Sequence, residues 1–172
     1  MASDAEQQFA AFYDASFGRT VACVYALTGD RGEAEDVAQE AYVRAWPRWR
    51  SLQTYDDPSA WVRQVACRVA VSRWRRTRTA LSHVARQRGR DQQVPPPGDD
   101  TVALIAALSQ LPEAQRRALV LHHVGDLPVA EIARLESVAV GTVKARLSRG
   151  RAALAVQLSI DNEYDYEETS HA

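Results

Sequence analysis

Arginine is the residue type through which this chain could do most of its chemistry. Residues 61 to 90 hold nine arginines and no acid, a net charge of +9, with Trp61 and Trp74 standing among them. Guanidinium groups hold phosphate oxygens bidentately, and an indole or guanidinium plane stacks on an unpaired base. The run therefore reads as a surface for a separated nucleic-acid strand, with Arg63, Arg68, Arg73, Trp74, Arg75 and Arg76 as its candidates. Trp61 falls on the apolar side of the helical period and is expected in the core, which leaves Trp74, near the helix end, as the freer ring. The plain alternative is a solvated helix face.

A second constellation is Leu127-Pro128-Val129-Ala130-Glu131-Ile132-Ala133-Arg134-Leu135, followed by Val140-Gly141-Thr142-Val143-Lys144-Ala145-Arg146-Leu147-Ser148-Arg149-Gly150-Arg151. Two short amphipathic runs, a small Ala133 that permits close helix approach and a brief turn make a helix-turn-helix pattern. Advancing about 100° per residue from Val143 puts Leu147 and Leu154 inward and Gly141, Thr142, Ala145, Ser148 and Arg149 outward. Arg149 is thus the candidate for bidentate contact with guanine, while Lys144, Arg146 and Arg151 flank the face and suit phosphates.

Other chemistry is poorly represented. His122 and His123 are adjacent, so on a helix they diverge, and no cysteine or carboxylate accompanies them at metal spacing. Without a glycine-rich phosphate loop or an activated nucleophile the chain is not expected to be an enzyme, and no cofactor or metal is implied. Cys23 and Cys67 lie inside apolar helical patterns and read as reduced core thiols of a cytoplasmic protein. No leader-like N-terminus and no apolar run long enough for membrane insertion is present.

The elements that must position these groups follow from period and punctuation. The overall charge of −1 conceals a division: residues 1 to 60 sum to −5, residues 110 to 158 to +3, and the end from Ser159 to −5. Phe9, Phe12, Tyr13, Phe17, Val21, Val24 and Tyr25 predict a first helix from about Glu6 to Thr28, stopped at Gly29. Asp30 then caps a second helix whose apolar stripe is Ala34, Val37, Ala38, Ala41, Tyr42, Ala45 and Trp46. Its other face is acidic. A loop from Pro47 to Asp57 precedes a third helix, opened by Asp57-Pro58, that carries the arginines.

Beyond Arg78 the period weakens, and Val94-Pro95-Pro96-Pro97-Gly98-Asp99-Asp100 cannot continue a helix. The fold class expected is all-α: two small helical domains, residues 1–78 and 101–158, joined by a flexible linker over 79–100. Each domain has its own apolar set. Residues 159–172 are expected to form an acidic, mobile tail.

At this point the residues resemble a known family, the extracytoplasmic-function sigma factors of the sigma-70 family. Thr28-Gly29-Asp30 and Gly32-Glu33-Ala34-Glu35-Asp36-Val37-Ala38-Gln39-Glu40-Ala41-Tyr42-Val43-Arg44-Ala45-Trp46 are similar to the family's polymerase-binding helix. Ala60-Trp61-Val62-Arg63 through Arg75-Arg76 resembles the helix that meets the melted minus-10 element, and Leu108-Ser109-Gln110-Leu111-Pro112 through Leu154 the domain that reads the minus-35 element. The resemblance spans about residues 9 to 158. It implies that Glu35, Asp36, Gln39 and Glu40 face core polymerase, that the Pro47–Asp57 loop helps capture a flipped promoter base, and that the linker threads the polymerase cleft. The partners implied are RNA polymerase core enzyme, promoter DNA and an anti-sigma factor.

The chain departs from the family pattern twice. Arg68 and Ser72 stand where the family often has Asn and Asp, so its minus-10 readout does not carry over in detail. Ser137 stands where the family usually has Gly in the turn, and a non-glycine residue at positive φ costs about 1 kcal/mol. The competing reading is a stand-alone helix-turn-helix regulator that binds operators without polymerase, in which the acidic second helix is simple solvated surface.

Overall fold

The computed structural model describes residues 4–80 and 99–169, so most of the expected linker lies outside the described residues. Among those described, the chain is all-α. Helix α1 (Asp4–Thr28) and α2 (Arg31–Ala45) form an antiparallel pair turned at Gly29, whose φ of 68° is the left-handed conformation that glycine adopts without strain. Asp30 caps α2 as expected, its Oδ1 accepting the Glu33 N–H at 2.9 Å.

The Pro47–Asp57 stretch is not wholly loop. Trp46–Arg48 makes a 3-10 turn and α3 (Trp49–Leu52) a helical one, because Trp49 and Leu52, one turn apart, are both buried. Trp49 stacks on Phe12 with centroids 5.0 Å apart and meets Phe9 edge-on, in a cluster that also takes in Tyr42 and Trp46. Helix α4 (Pro58–Ala80) lies across α1 and α2. Val37, Ala38 and Ala41 of α2 and Val62 and Ala66 of α4 are fully buried, and the alanines let these helices approach closely.

The second unit comprises α5 (Asp99–Ser109), α6 (Glu113–Leu119), a π-helical turn over Val120–Val124, α7 (Val129–Glu136) and α8 (Val140–Thr169). Leu121, Leu127, Ile132 and Val143 are among its fully buried side chains. The backbone of α8 continues as helix to Thr169, past the end expected near Leu158 and into the segment expected as an acidic tail. Asp99 and Asp100, expected in the linker, belong by their backbone to α5.

The separate apolar sets expected for the two domains are joined in the structure. Val62, Ala66 and Cys67 belong to the same buried cluster as Leu119, Leu121 and Leu127, so the second unit packs on α1 and α4. A helix buries whatever apolar stripe it carries on more than one side, and sequence period cannot say which partner covers it.

Ser137, between α7 and α8, adopts φ 55° and ψ 46°. Ser137→Val should therefore lower stability by about 1–2 kcal/mol, since a β-branched side chain is strained in this region. Ser137→Gly should lie within about 0.5 kcal/mol of the parent, because relief of strain is offset by the freer unfolded chain. Urea denaturation of the two variants checks the order.

Candidate nucleic-acid interface

Asp57 opens α4, accepting the Ala60 N–H at 3.1 Å and the Ser59 hydroxyl at 2.5 Å through Oδ1. The Ser59 hydroxyl chiefly, with the Ala60 N–H and Arg63, holds its carboxyl below the usual range against the effect of burial. Arg63, a strand-binding candidate, is spent locally: it donates to Ser59 Oγ at 2.7 Å and to Asp57 Oδ2 at 3.2 Å.

Further along α4 the candidates are drawn to other helices. Arg73 Nη2 donates to Glu40 Oε2 at 2.6 Å, and Arg44 pairs with the other oxygen of Glu40. Burial pushes the Glu40 carboxyl up, but the two guanidinium groups outweigh it and hold the carboxyl below its ordinary value. Arg68 Nε donates to Glu131 Oε1 at 2.6 Å, and Arg75 Nη1 to the Leu135 carbonyl at 3.2 Å, both on α7. The Arg68 hydrogen bond holds the Glu131 carboxyl low. Arg76 is exposed and, with Arg73, Asp30, Glu33, Asp36 and Thr77, lines an open pocket of about 450 Å³ between α2 and α4.

Trp74 is not the freer ring that its place near the helix end suggests. The guanidinium carbon of Arg117 sits 3.4 Å from its ring centroid, a cation–π contact worth about 2 kcal/mol when desolvated. Trp61 is half-buried against the core, with Arg48 over its outer face at 5.7 Å.

On α2, Asp36 and Gln39 are exposed, Glu35 pairs with Arg31 at 2.9 Å, and Glu40 is committed to α4. Val43 and Trp46, at 71% and 42% exposure, extend this face with apolar surface.

The helix-turn-helix is built on Ile132 and Ala133 of α7 against Val143 and Leu147 of α8, all buried. Its outward face carries Thr142, Ala145, Ser148 and Arg149 as the period requires; Lys144, Ser148 and Arg149 are exposed. Lys144 and Arg149 make no ion pair among the described residues, whereas Arg146 Nη1 donates to Glu136 Oε2 at 2.5 Å and Arg151 Nε to His123 Nε2 at 3.2 Å. The N-terminal turn of α8 adds the positive end of a helix dipole to the same face.

Glu136, Glu131 and Arg117 were not legible as important residues. The side chain of Glu136 is only 1% exposed and grips Arg117 Nη2 with one oxygen, at 2.5 Å, and Arg146 with the other. Arg117, 6% exposed, also reaches Glu113 at 3.4 Å. The one available signal is that Glu131 and Glu136 are the only acids between Leu127 and Ser159, so the cations around them converge on few anions.

Residues 13–80 match the family described as Sigma-70 region 2, and residues 101–154 the family described as Sigma-70, region 4. The chain is 31% identical over 149 residues to the ECF RNA polymerase sigma factor SigW of Bacillus subtilis (strain 168), covering 78% of this chain and 80% of that protein. It is 30% identical over 156 residues to the ECF RNA polymerase sigma factor SigK of Mycobacterium sp. (strain KMS), covering 83% and 78%. The fold is that of the sigma factor RpoE of Bartonella quintana, solved with the anti-sigma factor NepR: TM-score 0.61 at 22% identity, over 90% of this chain and 99% of that one. A stand-alone regulator has no need of region 2, and nothing here supports that reading. With regions 2 and 4 in order and these identities holding over more than two thirds of each protein, the chain belongs to the ECF RNA polymerase sigma factors.

Proposed function

We propose that this sigma factor, which directs transcription initiation, divides its work between the two units described. The first, up to the end of α4, docks on core polymerase through the acid-bearing face of α2 and holds the melted minus-10 strand along α4. The second, from α5 through α8, reads the minus-35 element with Thr142, Lys144, Ala145, Ser148 and Arg149, with Arg146 and Arg151 at its flanks. The observation that carries this reading is the free outward face of α8, where Lys144 and Arg149 stand exposed beside a helix N-terminus while other cations of the helix-turn-helix are already paired. Core polymerase and promoter DNA are the partners; an anti-sigma factor is a third, as RpoE of Bartonella quintana has NepR. Such a protein acts in the cytoplasm by binding, with no reaction of its own, and no described helix is long and apolar enough to cross a membrane.

Glu40 is a poor target for testing the docking face, because its reversal would also release Arg73 and loosen α2 from α4. Asp36 and Gln39 are exposed and free of that role. The double variant Asp36→Lys, Gln39→Lys should weaken assembly with core polymerase about tenfold, the loss shrinking at high salt as charge is screened. Native-gel titration measures this, and unchanged assembly at low salt would remove α2 from the interface.

A further inference from the structure

The two arginines that flank the outward face of α8 are held in different ways. Arg146 is gripped by the Glu136 carboxylate, an anion that compensates its charge. Arg151 Nε donates instead to His123 Nε2 at 3.2 Å, and Arg151 makes no ion pair among the described residues. To accept, Nε2 must carry a lone pair, so the ring is neutral with its proton on Nδ1. Burial first, then the neighbouring His122 and Arg151, hold the His123 pKa below its ordinary value and keep the ring in that form. A neutral acceptor fixes the direction of a guanidinium without cancelling its charge. The bond uses Nε and leaves both Nη groups for an oxyanion.

Two local features bring the ring to this place. Gly150 is buried, and a Cβ there would lie 3.0 Å from Leu119 Cδ1 and 3.4 Å from Gln115 Cβ, both on α6. Glycine thus lets α8 approach α6, so that Arg151, the next residue, passes beside the π-helical turn that follows α6. Within that turn His122 Nδ1 donates to the Leu127 carbonyl at 3.0 Å, and its ring meets that of His123 edge-on with centroids 4.8 Å apart. His123 is therefore braced from behind. On α8, Lys144, Ser148 and Arg151 stand at i, i+4 and i+7 and form one exposed stripe. Arg151 lies about 10 Å along the axis from Lys144, where a helix that enters a major groove by its N-terminal end passes the phosphate backbone.

We propose that His123 is a positioning residue for minus-35 recognition, a neutral acceptor that aims the uncompensated Arg151 guanidinium at a promoter phosphate. This rests on reading α8 as the helix that enters the minus-35 groove. Its effect is pre-organisation: an arginine already held in the binding direction gives up less side-chain freedom when the phosphate arrives.

Fluorescence anisotropy of the reconstituted holoenzyme, on a labelled duplex bearing the minus-35 element and on one with that element scrambled, tests this. Arg151→Ala should weaken both complexes about tenfold and lower the salt slope by about 1, since phosphate contacts carry no sequence information. His123→Ala should weaken both about fivefold, and His123→Gln, whose amide oxygen can take the place of Nε2, should stay within about twofold of the parent. In the Arg151→Ala background, His123→Ala should add less than about twofold, because the two residues act as one unit. The same fivefold loss with and without Arg151 would overturn the proposal and leave His123 as support for the turn. His123→Gln as weak as His123→Ala would overturn the acceptor role. Parental affinity of Arg151→Ala, with Arg149→Ala still impaired, would overturn the phosphate contact and keep α8 in the groove. Parental affinity of both would remove α8 from the minus-35 element, and the proposal with it.

Discussion

Glu136→Ala is expected to destabilise the protein by about 3–5 kcal/mol, because it leaves a buried guanidinium without its principal anion. The Glu136 side chain is 1% exposed and that of Arg117 8%, and their contact is 2.5 Å. Arg146, at 21%, can turn towards water when its partner is lost, whereas Arg117 cannot. It would keep only Glu113, at 3.4 Å, and the face of Trp74. The loss corresponds to a fall in urea midpoint on the order of 1–3 M. Glu136→Gln, which keeps the shape and an acceptor, should recover part of the loss, and Arg117→Ala should cost less than Glu136→Ala because Arg146 remains to neutralise the carboxylate. A Glu136→Ala midpoint indistinguishable from the parent's would mean that water reaches Arg117 and that the carboxylate is not structural. The same substitution also frees the anchor between α7, α8 and α6, so minus-35 affinity should fall with it.

Arg149→Ala should weaken holoenzyme binding to a duplex bearing the preferred minus-35 element by about 1–3 kcal/mol, or roughly 5- to 150-fold, and should relax preference at one base pair. The reason is geometric. Arg149 is exposed on the outward face of α8, while Arg146 and Arg151 are held by Glu136 and His123. Lys144→Ala, which removes a point charge that no described side chain pairs, should instead weaken binding to all duplexes alike and reduce the salt dependence. Anisotropy on matched duplexes and on duplexes substituted one base pair at a time distinguishes these behaviours. Equal losses for Arg149→Ala on every duplex would make it a phosphate contact and leave base reading to Ser148, Thr142 or Ala145.

Much of this protein was legible without coordinates because its signals are local. The arrest of α1 at Gly29, the caps at Asp30 and Asp57, the inward Val143 and Leu147 and the positive φ at Ser137 each depend on a few consecutive residues. The outward placement of Thr142, Ser148 and Arg149 follows from the helical period alone. The order of the two matched sigma-70 regions is likewise a property of the chain.

What only the tertiary structure decided are the pairings between distant segments. Sequence period identifies the cations of α4 but not that Arg73 closes on Glu40, Arg68 on Glu131 and Arg75 on Leu135, since such contacts depend on which helices cross and at what height. For the same reason Trp74, expected as the freer ring from its place near a helix end, lies beneath Arg117. The acidic composition after Ser159 suggested a mobile tail, yet α8 runs on to Thr169, an extension that begins inside a packed helix and so is spared the cost of nucleation. Local residue types determine which helices form and which faces are charged; the crossing of those helices determines which charges are left for a partner.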